Sequence, residues 1–272
     1  KNDSDIPLIV DTLERIMLHY KAKGYKYFKL YLSGGEPTFW KALIPVVEKF
    51  REHAEWPGSC VGINTNFSKP LSWWKDHHHL FEDVVASYHA EWSKDDKYME
   101  VYKFLQDKKN YLCSRIMMHH DYFDQCIAFG DRIKNECDNY MIEYAPVYDE
   151  LRPSTDPYHY DEPWQMEFFQ TNSTVQQQSI PIKKDPSYAW AKVQYEDDTV
   201  EPIDTNGIIT NGKNFFEGWL CNIHESLHIH PNGKIQQASC GVGPVVGNIV
   251  QGEFNTTMSE GVWCPKSHCH CA

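Results

Sequence analysis

Several absences narrow what this sequence of 272 residues can do. It has no apolar run approaching the ~20 residues of a membrane-spanning helix, so no membrane association is expected. It lacks positive charge: 26 Lys and Arg face 38 Asp and Glu, a net −12. Following a phosphate backbone needs a basic surface, so no nucleic acid is expected as a partner. There is no GxGxxG, no P-loop and no GxSxG, which removes the Rossmann dinucleotide, nucleotide-triphosphatase and simple hydrolase readings. The opening Lys1-Asn2-Asp3-Ser4-Asp5 lacks the pattern of a signal peptide and lacks an initiator Met, so the expectation is a cytoplasmic chain that starts inside a longer gene product.

Aromatics, by contrast, are plentiful at 14%, which argues for a packed core. The nine cysteines are unevenly spread. Cys60, Cys113, Cys126 and Cys137 sit mostly among apolar neighbours, whereas Cys221, Cys240, Cys264, Cys269 and Cys271 crowd the end. A secreted disulfide scaffold is smaller and more evenly studded, so a reduced compartment with a metal site in the tail fits better.

Periodicity organises the first 150 residues. Ile9, Leu13, Ile16, Met17 and Tyr20 recur at helical spacing and Gly24 stops them. Strands are predicted at Phe28–Leu32, Ser59–Asn66, Val84–Tyr88, Leu112–Met118 and Tyr140–Val147, with helices between them. A strand every ~25–30 residues with intervening helices marks parallel βαβ units, whose ligands sit at the carboxyl ends of the strands. An α/β fold is therefore expected over 1–150: a partial (β/α)6 TIM-like barrel whose first strand would precede Lys1, with a doubly wound open sheet as the alternative. Residues 151–205 read as a connecting segment with a hairpin from Tyr188 to Pro202 turning at Asp197-Asp198. Residues 206–272 read as a small glycine-rich lobe that needs a metal or other staple.

Two features carry chemistry. Ser33-Gly34-Gly35-Glu36-Pro37 follows the first strand, where paired glycines let the backbone turn tightly and Glu36 offers a carboxylate suited to an ammonium group. In the tail, Gly218-Trp219-Leu220-Cys221 precedes Leu227-His228-Ile229-His230-Pro231-Asn232-Gly233, a hairpin with Asn-Gly at its turn. Cys240-Gly241, Gly247-Asn248-Ile249, Cys264-Pro265 and Cys269-His270-Cys271 follow. Converging thiolates suit a [4Fe–4S] cluster. Zinc held by thiolates, with or without His228, His230, His268 or His270, is the rival, although no common zinc-finger spacing is present.

Gly34-Gly35-Glu36-Pro37 resembles the GGEP motif of radical S-adenosylmethionine (SAM) enzymes, and the tail is similar to their SPASM/twitch extensions. The resemblance spans nearly the whole chain. It implies that Gly34, Gly35, Glu36 and Pro37 meet the methionyl amino group of SAM. It also implies that Thr65-Asn66, Ser87 and His89 face the cofactor and that Arg115 meets its carboxylate. Four of the five tail cysteines would hold one auxiliary [4Fe–4S] cluster near the substrate. The family's first cluster is bound by CxxxCxxC, which occurs nowhere in the 272 residues, and the expectation is that it lies before Lys1 with the missing strand. The activity implied is reductive cleavage of SAM to a 5′-deoxyadenosyl radical that takes a substrate hydrogen, from a peptide first and a small molecule second. A flavodoxin or ferredoxin would donate the electron, and these residues alone would be inactive.

Two readings rival that one: a non-catalytic, zinc-stabilised binding protein and a degenerate relative without the first cluster. Of the remaining residues, His77-His78-His79 is expected to be a solvated helix end. His119-His120-Asp121 closes a strand at the mouth, with a structural part, and Glu143 and Tyr144 are candidates to face the interior.

Overall fold

Elements begin and end where the apolar period changes. The computed structural model describes residues 5–147, 162–172, 176–178, 191–203, 215–267 and 269. The chain divides into two compact units, one of residues 28–43 and 59–184, the other of 1–27, 44–58 and 185–272.

The first unit is a sheet with helices on it. Strands β1 (Lys29–Leu32), β2 (Cys60–Thr65), β3 (Asp83–His89), β4 (Tyr111–Met118) and β5 (Tyr140–Pro146) lie side by side in sequence order and all parallel. Between them come α3 (Leu71–His77), α4 (Asp95–Leu105) and α5 (Phe123–Glu136). Each predicted strand is present within a residue or two of its expected ends. Side chains alternate between faces, so the register divides the sheet into two surfaces. The helix-side surface carries Ala86, Tyr88, Ser114, Ile116 and Tyr144, all buried. Phe129 of α5 stacks on Tyr88 with ring centroids 3.7 Å apart, and Tyr98 of α4 packs edge-on to both. The Tyr98 hydroxyl lies 2.8 Å from the Ala86 carbonyl, to which it donates, and 2.8 Å from Ser114 Oγ, so a wholly buried polar group is satisfied. Burial pushes its pKa well up, which keeps it a neutral donor.

Two features were not foreseen. Helix α6 (Pro163–Asn172) and strand β6 (Gln176–Gln178) occupy part of the connecting segment. Strand β6 pairs antiparallel with β5, making the sixth strand a downstream one. No pairing joins β1 to β6 among the described residues, so the sheet is open there. Tyr144, a candidate for the interior, instead faces the helices: its ring meets Phe168 edge-on at 5.0 Å, and its hydroxyl lies where a side chain on Gly130 would be.

The second unit joins α1 (Ile6–Ala22) and α2 (Leu43–His53, from Ile44 on) to the C-terminal lobe. Helix α1 buries its Ile9, Leu13, Ile16, Met17 and Tyr20 stripe and closes at Gly24, as the spacing predicts. The Tyr20 hydroxyl donates to the His224 carbonyl at 2.5 Å, Arg15 donates to the Gly252 carbonyl, and the His19 ring meets Phe254 edge-on. Glu14 and His53 Nε2, 2.9 Å apart, tie α1 to α2. In the lobe, β10 (Leu227–Ile229), β11 (Lys234–Gln237), β12 (Val245–Asn248) and β13 (Glu253–Phe254) form an antiparallel sheet, with Asn232-Gly233 at the first turn as expected. Strands β9 (Leu220–Cys221) and β14 (Val262–Trp263) pair separately. The expected hairpin appears as β7 (Ala191–Gln194) and β8 (Val200–Ile203), turning through Asp197 and Asp198; its predicted start at Tyr188 is outside the described residues. No described helix is long and apolar enough to cross a membrane.

Candidate functional site

The carboxyl end of β1 sets the site. After Leu32 the chain bends through Gly34 and Gly35 with φ of +89° and +58°, a conformation that a side chain resists. A Cβ at either glycine would meet nothing within 4 Å, so open space lies above this backbone. The bend delivers Glu36 to the start of a 3₁₀ turn, Pro37–Phe39. Its Oε1 accepts from Thr38 N (3.1 Å), Thr38 Oγ (2.6 Å) and Thr65 Oγ (2.9 Å), and its Oε2 accepts from Asn66 N (2.7 Å). The carboxylate therefore ties the end of β1 to the end of β2. An ionised carboxylate offers about four acceptor positions, and Oε2 uses one of its two here.

On the sheet face turned away from α4 and α5, the parallel register stacks side chains in rows. One row, Val85, Cys113 and Met141, is buried and apolar, with Tyr111 packed beside it. Burial pushes the Cys113 thiol up to about 12, so it behaves as a small core residue. The next row toward the carboxyl ends is Ser87, Arg115 and Glu143. Arg115 Nε donates to Glu143 Oε2 at 2.8 Å. Burial opposes the charge of Arg115, but the Glu143 carboxylate outweighs it and raises the guanidinium above its ordinary value. Among the described residues Glu143 is the acceptor that Arg115 meets, which leaves the outer N–H groups of the fork for a ligand. One row further lies His89, whose pKa is lowered by burial, against a smaller opposing effect of Glu91. Asn64, on β2 opposite Val85, has a buried Oδ1 that accepts no hydrogen bond from a described residue.

Tyr31 lies across Gly62 of the neighbouring strand, where any Cβ would come within 2.5 Å of its ring. This close approach accounts for a glycine in the middle of β2.

The expected SAM-contacting residues thus fall at one end of one sheet. Gly34, Gly35, Glu36 and Pro37 follow one another through the turn, which Glu36 ties to Asn66 N, and Ser87, His89 and Arg115 occupy neighbouring rows of the same face. Asn66 contributes its backbone N–H, while its side chain caps Ser68. Asn64 and the Arg115–Glu143 pair carry no local sequence signal, because their place at the site depends on strand register.

Backbone pairing and one lysine contact link the segments that carry three tail cysteines. Cys221 on β9 pairs with Val262 on β14, and Cys264 N donates to the Trp219 carbonyl at 2.8 Å. The Lys266 ammonium donates to the Cys240 carbonyl at 2.7 Å. Cys269 follows, while His268, His270 and Cys271 are outside the described residues. The described tail cysteines do not form a group of three ligand atoms tight enough for a single ion. Compared with protein-family models the chain matches none, and no curated protein gives a significant match.

Proposed function

We propose that this chain is part of a radical SAM enzyme with a SPASM/twitch-like C-terminal lobe, acting on a peptide or a small molecule. One observation carries the reading: Glu36, beyond two left-handed glycines with open space above them, is held by Thr38, Thr65 and Asn66 with an acceptor position of Oε2 taken by no described residue. The sequential strand order supports a partial barrel over a doubly wound sheet, whose order reverses at its switch point.

The residues present fit the groups of SAM. Glu36 Oε2 and the carbonyls of the glycine turn suit the methionyl ammonium. The outer N–H groups of Arg115 suit the carboxylate. Ser87 and the neutral imidazole of His89 suit ribose hydroxyls, with the buried Asn64 Oδ1 as a further acceptor on the same face. When reductively cleaved, SAM supplies the radical that removes a substrate hydrogen. The part of this chain is to orient the cofactor. The fixed Glu36 pins one end, and the apolar row of Val85, Cys113 and Met141 excludes water beneath it. No CxxxCxxC occurs in the 272 residues, so the ligands of the SAM cluster are not assigned to this chain.

In the tail, Cys221, Cys240, Cys264, Cys269 and Cys271 provide candidate ligands for one auxiliary [4Fe–4S] cluster. Each thiolate of such a cluster binds a different iron, so the sulfurs stand farther apart than around a single ion.

The test is anaerobic purification and reconstitution of the chain, with iron, sulfide and zinc counted. About four irons and four sulfides per chain are expected, falling in the Cys221→Ser and Cys264→Ser variants. Stoichiometric zinc without iron would sink the reading and favour the zinc-stabilised binder. Independently, Glu36→Gln is expected to weaken equilibrium SAM binding by about tenfold or more, since a charge-assisted bond is replaced by a neutral one.

A further inference from the structure

Beyond that reading, and independent of it, we infer that the carboxyl ends of β3 and β4 form a binding site for one divalent first-row transition ion, held by His119, His120 and Asp121 with Glu91 beside them. One ligand atom from each of His119, His120 and Asp121 lies within 4.8 Å of the others. His120 Nε2 is 3.0 Å from Asp121 Oδ1, and the two imidazoles stack with centroids 4.5 Å apart. Ligands with bonds of ~2.1 Å stand about 3.4 Å apart in a tetrahedron and at most about 4.2 Å across an ion. The closest pair is already inside that limit, and the other ligand atoms, within 4.8 Å, draw in by side-chain rotation.

Glu91 comes from the other strand. It follows His89 at the end of β3, and the parallel register of β3 with β4 brings it to His119, with Oε1 4.0 Å from His119 Nε2. Its other oxygen, Oε2, is buried and accepts no hydrogen bond from a described residue. A buried acceptor without a donor is costly, and a cation beside it removes that penalty. An ion at His119 would displace the bond that Asp121 N donates to His119 Nδ1 at 3.3 Å. It is long, and it is given up whichever nitrogen ligates.

Two imidazoles with carboxylates, and no thiolate among them, select zinc, iron(II), cobalt or nickel over the hard ions that prefer oxygen alone. Asp121 is 66% exposed, so the ion keeps solvent-facing positions at which water or a substrate carboxylate or amide can bind.

Cobalt(II) is the probe, titrated into the full anaerobic chain, because thiolate ligation adds an intense near-ultraviolet charge-transfer band that nitrogen and oxygen ligands do not give. One equivalent without that band is expected. His120→Gln should weaken it by more than about 100-fold, and Asp121→Asn and Glu91→Gln each by about tenfold. The His77→Gln control should bind as wild type does. Asp121 is exposed, so its variant remains informative if a histidine variant does not fold. Cobalt taken up only through thiolate, or bound as tightly by His120→Gln and Asp121→Asn as by wild type, overturns the site. Iron content is counted in each variant: loss of tail iron with this cobalt site intact counts against the SAM reading alone.

Discussion

The two units are held together by different means. The sheet unit is built on aromatic packing: Tyr88, Tyr98, Tyr102, Trp74 and Phe129 are buried, and long parallel strands run between them. The lobe has strands of two to four residues and buries only a few small aliphatics, among them Ile223, Ile235, Val246 and Ile249. The apolar burial of its unit lies largely on α1 and α2, and within the lobe itself amides add to it. Gln237 accepts from Ser259 N and donates to the Ser259 carbonyl, and Gln236 Nε2 donates to the Gly243 carbonyl at 2.9 Å. Each such bond contributes only about 1 kcal/mol net. A unit of this kind gains disproportionately from a cross-link such as the one proposed for its cysteines.

The largest effect should come from removing the metal cross-link proposed for the tail. Stripping metal from the chain, or combining Cys221→Ser with Cys264→Ser, is expected to raise hydrogen exchange throughout β10–β13 to near the unfolded rate. The amides of β2–β4 should be unmoved. Structural metals contribute on the order of 10 kcal/mol in small domains, so the difference should be unmistakable. Unchanged protection in the lobe would mean that the amide network suffices and the comparison fails.

Next in size is a cut in the aromatic core. Phe129→Ala removes the ring stacked on Tyr88 and should destabilise the sheet unit by about 3–5 kcal/mol in urea unfolding. Metal content of the lobe should not change. A proportional loss of metal would show that the units fold as one.

The smallest effect should not distinguish the units. Burial lowers the pKa of His89 and His78 in the sheet unit, and of His228 and His19 in the other. A group whose folded pKa is depressed takes up protons more readily when unfolded. It therefore contributes stability above its ordinary value of about 6.5, and that contribution is lost as pH falls through the folded value. Both transitions should weaken on acidification below about pH 6.5, and His89→Gln should flatten the slope for the sheet unit alone. A slope unchanged in that variant would remove His89 from the account.

How much of this was legible in the sequence follows from the same contrast. The sheet was readable because apolar alternation and helical stripes are local signals; even Gly24 and the Asn232-Gly233 turn fell where expected. Strand β6 was not, because Gln176-Gln177-Gln178 carries no alternation and its partner lies far back in the chain. Tyr144 was placed on the wrong face, since adjacent residues of a strand point oppositely and only register decides which one looks where. The site was half legible. Gly34-Gly35-Glu36 announced itself, but the Arg115–Glu143 pair and the approach of Glu91 to His119 exist only because neighbouring strands are aligned. His119-His120-Asp121, read alone, had no fourth group to suggest more than structure.

The Glu36 tie between two strand ends has a further consequence. Asn66 N–H bonds to the same oxygen that retains an open acceptor position, so any ligand cation drawing on that oxygen must share it with a backbone amide. Sharing lengthens or redirects the amide bond. The Asn66 proton is thereby a gauge set into the scaffold, and its nuclear magnetic resonance frequency should move as the glycine turn fills, before any chemistry takes place.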